Sequence, residues 1–118
     1  MAKHNELGAK GEQIAANFLK NKGYQILERN WRIGRAEIDI IAMYQKEMVF
    51  IEVKTRSDNY FGEPETFVNQ KKRDLMTDAA NAYMYEVDHD WEFRFDIISI
   101  IIRDGKTYIN HFEDAFWN

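Results

Sequence analysis

The sequence predicts an α/β sandwich in which two helices flank a mixed β-sheet. Two segments carry apolar residues at helical spacing. The runs between and after them are rich in β-branched and aromatic residues, as strands are. A strand reached through the second helix lies parallel to its sheet neighbour, by a right-handed crossover, whereas strands joined by short turns lie antiparallel, so the sheet has to be mixed.

The first helix covers about Asn5 to Lys22, where Leu7, Ile14, Ala15, Phe18 and Leu19 form an apolar stripe and Gly23 is a natural stop. Tyr24–Trp31, Ala36–Tyr44 and Glu47–Thr55 are close enough in sequence for a three-stranded antiparallel meander, with Arg32–Arg35 and its Gly34 as the first turn. Arg56–Thr66, with Asp58-Asn59, Gly62 and Pro64, reads as an irregular loop. Helical spacing returns over Phe67–Glu86 through Val68, Leu75, Met76, Ala79, Ala80 and Tyr83. Trp91–Arg103 is a long strand, and the Asp104-Gly105 turn leads to a short one, Thr107–His111. The order is α-β-β-β-α-β-β.

At 118 residues the chain is expected to be a single domain, residues 1–118, large enough to bury a core without staples. It has no cysteine, which excludes disulfides, thiol catalysis and cysteine zinc sites. The opening MAKHNELGAKGE lacks an apolar signal core, and no run approaches the ~20 apolar residues of a membrane span. A soluble cytoplasmic protein is expected, with no membrane partner. The net charge of -4 argues against coating nucleic acid by bulk electrostatics. Yet basic residues gather at Arg29, Arg32 and Arg35, at Lys54 and Arg56, and at Lys71, Lys72 and Arg73, so three short segments could form one positive rim.

The chemistry lies in the second and third strands, AEIDIIAMY and EMVFIEVKT. A hairpin centred between Gln45 and Lys46 pairs Tyr44 with Glu47. The same count sets Asp39 opposite Glu52 and Lys54 opposite Glu37. Period-two alternation then gives Glu37, Asp39, Glu52 and Lys54 one face, continued toward the turn by the apolar Ile41, Met43, Met48 and Phe50. Ile38, Ile40, Val49, Ile51 and Val53 share the other. Two carboxylates facing each other across a ladder repel, and a hard divalent cation between them turns repulsion into coordination. The spacing Asp39-x12-Glu52-x-Lys54 suits phosphodiester hydrolysis. Asp39 and Glu52 would hold one or two Mg²⁺ or Mn²⁺ ions, with the Val53 carbonyl completing the shell, while Lys54 would orient water or neutralise developing charge.

These residues resemble the PD-(D/E)xK, or restriction-endonuclease-like, superfamily, with its α-β-β-β-α-β core, Asp on the second strand and E-x-K on the third. The similarity is closer to the YraN-like family of uncharacterised predicted endonucleases and spans nearly the whole chain. It runs through Gly8–Arg32, AEIDIIA (Ala36–Ala42), VFIEVKTR (Val49–Arg56), Phe61-Gly62, Lys71 ahead of an alanine-bearing helix, RFDI (Arg94–Ile97) and the terminal DAF (Asp114–Phe116). Two positions depart from the pattern: Ala36 stands where that family usually has Gly, and no Pro precedes Asp39. The resemblance implies a metal-dependent nuclease acting on DNA, including branched or processed intermediates, with Glu12 as an added carboxylate.

Other readings stand beside these. A catalytically silent nucleic-acid-binding or protein-interaction module would use the same fold. Without a ligand, Asp39 and Glu52 are a solvent-facing strand edge with Glu37 paired to Lys54. Glu12 either tips into the site or caps the helix stripe in water. Arg56 and Lys71 are the candidate phosphate contacts, whereas Lys72, aligned with Val68 and Leu75, is expected to snorkel. Arg94 and Asp96 read as a structural ion pair, His4, His89 and His111 as incidental, and Trp31, Tyr44, Phe50, Phe61, Trp91, Phe112, Phe116 and Trp117 mostly as packing. A homodimer would enlarge the basic surface.

Overall fold

The computed structural model describes residues 2–57, 69–88 and 92–115, with side chains from Glu6 onward. The elements are α1 (Ala2–Asn21), β1 (Gln25–Ile33), β2 (Ala36–Tyr44), β3 (Glu47–Arg56), α2 (Gln70–Glu86), β4 (Phe93–Arg103) and β5 (Lys106–Phe112). One five-stranded sheet has the order β1-β2-β3-β4-β5. Among the described strands only the β3–β4 pair is parallel, and α2 connects those two strands. The mixed sheet and the element order are as the sequence predicts. The loop expected at Arg56–Thr66, the family-like Phe61-Gly62, and the residues Phe67, Val68, His89, Trp91, Phe116 and Trp117 lie wholly or mostly outside the described residues.

Each helix buries its stripe against one sheet face. Ala15, Ala16 and Leu19 of α1 pack with Ile40, Ala42, Val49, Ile51, Ile98 and Ile100. Met76, Ala79, Ala80, Tyr83 and Met84 of α2 pack with Ile38, Ile41, Met48, Phe50 and Phe95. Around Phe50 the rings of Tyr83, Phe93 and Phe95 close at 5.7–6.1 Å, so the aromatic residues here serve the core. The helix α2 starts at Gln70, because the Asn69 side chain accepts the Lys72 N–H at 2.9 Å as an N-cap.

The turns set the registers. Tyr44 pairs with Glu47, as the count from Gln45 and Lys46 requires, and Ile40 with Ile51. Asp104 (φ 53°) and Gly105 (φ 74°) both take the left-handed region that a two-residue type I′ turn needs.

One expectation about the faces is overturned. Residues two apart on a strand share a face, yet Ile38 packs on the α2 side and Ile40 on the α1 side. Their β1 partners, Trp31 and Arg29, flank Asn30, whose φ of 54° is left-handed. The hairpin therefore changes phase at Asn30 and Asp39, and its far end, Trp31 and Ile38 included, turns its apolar residues toward α2.

The close approach of α1 to β3 fixes where Glu12 sits. A Cβ at Gly11 would overlap the Thr55 hydroxyl and crowd the Thr55 Cβ. Gly11→Ala in a free helix would be favourable by up to about 1 kcal/mol. Here it is expected to destabilise the fold by about 1–3 kcal/mol through overpacking, a sign that urea denaturation of the variant will check.

Candidate active site

Beyond the pair Ile40–Ile51 the β2–β3 ladder stops. Asp39 is therefore not ladder-paired opposite Glu52, nor Lys54 opposite Glu37, as a continued register would have it. Alternation from the turn would give the Val53 N–H to the Ile38 carbonyl. It donates instead to Asp39 Oδ2 at 2.8 Å. The side chain of Asp39 thus replaces a rung of the sheet and is held between the two strand ends.

Glu52 is 4% exposed. Its Oε2 accepts from Lys72 Nζ at 2.7 Å and lies 3.3 Å from Lys54 Nζ. Among the described residues its Oε1 is buried without a hydrogen-bond partner. An unpartnered buried carboxylate oxygen is costly and needs a reason. Burial, then the charge of Glu52, push the Asp39 carboxyl up to about 7, against the lowering effect of the Val53 N–H. Burial opposes the charge of Lys72, but the Glu52 charge and hydrogen bond outweigh it and hold that ammonium above its ordinary range.

A groove of about 500 Å³ is lined by Leu7, Gly8 and Glu12 of α1 and by Asp39, Glu52, Val53, Lys54, Thr55, Arg56 and Ser57. A second, of about 400 Å³, runs along the α2 side past Arg35, Glu37, Asp39, Asn69, Lys71 and Lys72. Asp39 forms a wall of both. Of the candidate residues, Asp39, Glu52, Lys54, Glu12 and Arg56 come together in the first groove, and Lys71 lies in the second.

Glu12 tips toward the site. Burial raises its pKa, while a hydrogen bond to Asn30 and the charge of Arg29 lower it. Glu37 turns to Arg32, 3.2 Å away and exposed, so the Glu37–Lys54 ion pair is not made. Among the described residues no three His, Cys, Asp or Glu side chains form a metal cluster. A cation between Asp39 and Glu52 would draw the rest of its shell from water and substrate oxygens, as Mg²⁺ commonly does.

Two residues have larger roles than expected. Lys72 does not simply snorkel, for its ammonium sits on Glu52. His111 is not incidental, because its Nε2 lies 2.7 Å from Asp96 Oδ2. The fully buried Asp96 also accepts from Arg94 Nε at 2.9 Å, Arg94 Nη2 at 3.1 Å and the Asp114 N–H at 3.0 Å. Burial raises the Asp96 carboxyl, but the His111, Arg94 and Asp114 hydrogen bonds prevail and hold it below its ordinary value. Arg94 extends the network to Glu47 at 2.8 Å and the Tyr24 hydroxyl at 2.6 Å. This cluster is the structural ion pair expected for Arg94 and Asp96, enlarged.

Comparison with known proteins places this site in a family. The family model described as uncharacterised protein family UPF0102 matches residues 11–100, which include Glu12, Asp39, Glu52 and Lys54. The chain belongs to this family. A UPF0102 protein of Flavobacterium psychrophilum is similar at 48% identity over 118 residues, covering 100% of this chain and 99% of that one. Relatives from Phocaeicola vulgatus and Alkaliphilus oremlandii are each 44% identical, covering 99% and 96% of this chain and 97% and 99% of their own. The names of these UPF0102 proteins carry no activity, so the chemistry has to be argued from the site. No helix among the described residues is long and apolar enough to cross a membrane.

The Asp39 environment has a pH signature. A carboxyl whose folded pKa is raised binds protons more tightly in the folded state, so its contribution to stability is full below about 4 and is lost as pH rises through about 7. Asp96, with the opposite shift, is ionised in both states above about pH 5. Metal-free protein is therefore expected to lose stability between about pH 5 and pH 7. Asp39→Asn should flatten the slope and raise stability at pH 8 by on the order of 1–3 kcal/mol, measured by denaturant unfolding at a series of pH values.

Proposed function

We propose that this chain is a metal-dependent nuclease hydrolysing phosphodiester bonds in DNA, branched or processed intermediates included. The observation that carries this reading is the buried, unpartnered Oε1 of Glu52 beside an Asp39 whose charge burial opposes. Lys54 and Lys72 both approach Glu52 Oε2 and leave Oε1 without a partner among the described residues. That donor set fits a hard divalent cation, Mg²⁺ or Mn²⁺, held by Asp39 and Glu52. Such an ion supplies Lewis-acid polarisation of a phosphoryl oxygen and a more acidic bound water.

The chain's own residues do the rest. Val53 N–H fixes the Asp39 carboxylate, so it is oriented before any ligand arrives. Lys54, with 17% of its side chain exposed, reaches the groove and neutralises charge that develops on the phosphate. Glu12, across the groove on α1, would position water or a second ion. Lys71 and Arg35 along one groove and Arg56 in the other offer cations to phosphates on either side of Asp39. Arg56 also ties itself to the β3 end through the Thr55 carbonyl at 2.9 Å.

With Mg²⁺ or Mn²⁺ and a panel of single-stranded, duplex, flap and four-way DNA, cleavage is expected for at least one substrate. Asp39→Asn should reduce it to background, and Lys54→Ala should slow it by about a hundredfold or more, followed on denaturing gels. DNA binding that persists without cleavage, unchanged by Asp39→Asn but lost with salt and with Arg56→Ala or Lys71→Ala, would instead identify a silent nucleic-acid-binding module.

A further inference from the structure

Lys72 lies far from Glu52 in sequence, yet its contact with Glu52, at 2.7 Å, is shorter than that of Lys54, at 3.3 Å. Both lysines approach the same oxygen, Oε2, while Oε1 is left alone in the interior. Two ammonium groups placed only to neutralise a carboxylate would spread over both oxygens. Their crowding on Oε2 leaves Oε1 without a partner among the described residues.

The two lysines also differ in freedom. Lys54 projects from the sheet and is 17% exposed in its side chain, whereas Lys72 is 39% exposed. Lys72 stands in the first turn of α2, in the wall of the groove it shares with Arg35, Lys71 and Asp39. Its backbone is anchored there by the Asn69 cap, so its long stem can move between Glu52 and the groove without moving the helix.

We propose that Lys72 is a positioning residue that exchanges partners. In the metal-free protein its ammonium serves as the counter-ion of Glu52. When a divalent cation is held by Asp39 and Glu52, the added positive charge repels that ammonium from Oε2, and Lys72 turns into the Arg35–Lys71 groove to bind a substrate phosphate next to the scissile one. Metal loading and substrate binding are thereby coupled through one side chain. This inference rests on the metal-dependent reading given above.

The test uses the full chain and needs no turnover. Mg²⁺ is titrated calorimetrically into wild type, Lys72→Gln and Lys72→Met; the methionine variant keeps the apolar stem should glutamine perturb folding. Affinity for deoxythymidine monophosphate, a phosphate probe without a cleavable diester, is then measured by NMR titration with and without Mg²⁺. Removing the competing ammonium is expected to tighten Mg²⁺ binding by about tenfold. Wild type and variants should bind the nucleotide equally without Mg²⁺, and the variants should bind it several-fold more weakly with Mg²⁺. Mg²⁺ affinity unchanged by both substitutions, or a nucleotide deficit that is the same with and without metal, would overturn the exchange while leaving the nuclease reading intact. Absence of Mg²⁺ binding in wild type as well as the variants would instead remove the metal-dependent reading and this inference with it.

Discussion

The site depends on an interrupted β-ladder. Had β2 and β3 continued to pair past Ile40–Ile51, the Val53 N–H would be spent on a backbone carbonyl and the two strands would close over the space between Asp39 and Glu52. Because the Asp39 carboxylate takes that N–H instead, the strands part without stranding a backbone donor. The same irregularity reverses the facing of the outer hairpin, so that Ile38 and Trp31 pack toward α2 while Ile40 stays under α1. One local break thus opens grooves on both sides of Asp39 and keeps both helices supplied with apolar partners.

The strand beside β3 shows what a satisfied buried carboxylate looks like in this protein, for Asp96 pairs with Ile51, next to Glu52. Asp96 is fully buried, but two guanidinium nitrogens, an imidazole nitrogen and a backbone N–H surround it. The cluster ties β4 to β3 through Glu47, to β5 through His111 and to Tyr24 just ahead of β1. Its ionic groups complete one another, which is the condition under which buried charge is tolerable. Asp39 and Glu52 fail that condition. Asp39 is partly buried under the charge of the buried Glu52, and Glu52 Oε1 has no partner among the described residues. The contrast between the two acid sites, one saturated and one wanting, is what the proposed metal site rests on.

Much of this was legible from residue order. The helix stripes, the three-stranded meander and the return through α2 to a parallel neighbour follow from periodicity and connection length, and the elements match within a few residues. The pairing of Tyr44 with Glu47 followed from a two-residue turn at Gln45 and Lys46. That register was enough to bring Asp39, Glu52 and Lys54 to one place. Strict alternation then misassigned Ile38, because nothing in the local pattern marks Asn30 as left-handed or Asp39 as a substitute for a backbone acceptor. Glu37 was matched to Lys54 by the same continued register, but its strand end turns it toward Arg32 instead.

Residue order alone sets the layers, the strand order of the hairpins and which short-range residues carry charge into a sheet, since these depend on side-chain period and turn length, both local properties. Tertiary structure alone decided that Lys72, from a helix twenty residues beyond Glu52, supplies its nearest cation, and that His111, from the edge strand β5, closes around Asp96. Those partnerships arise where separate elements meet at distances near 2.7 Å, and their strength falls off so steeply with displacement that only the packed arrangement of helices and sheet selects them. Whether a buried carboxylate ends up saturated or short of charge is decided in the same way, by which donors the completed fold brings within reach.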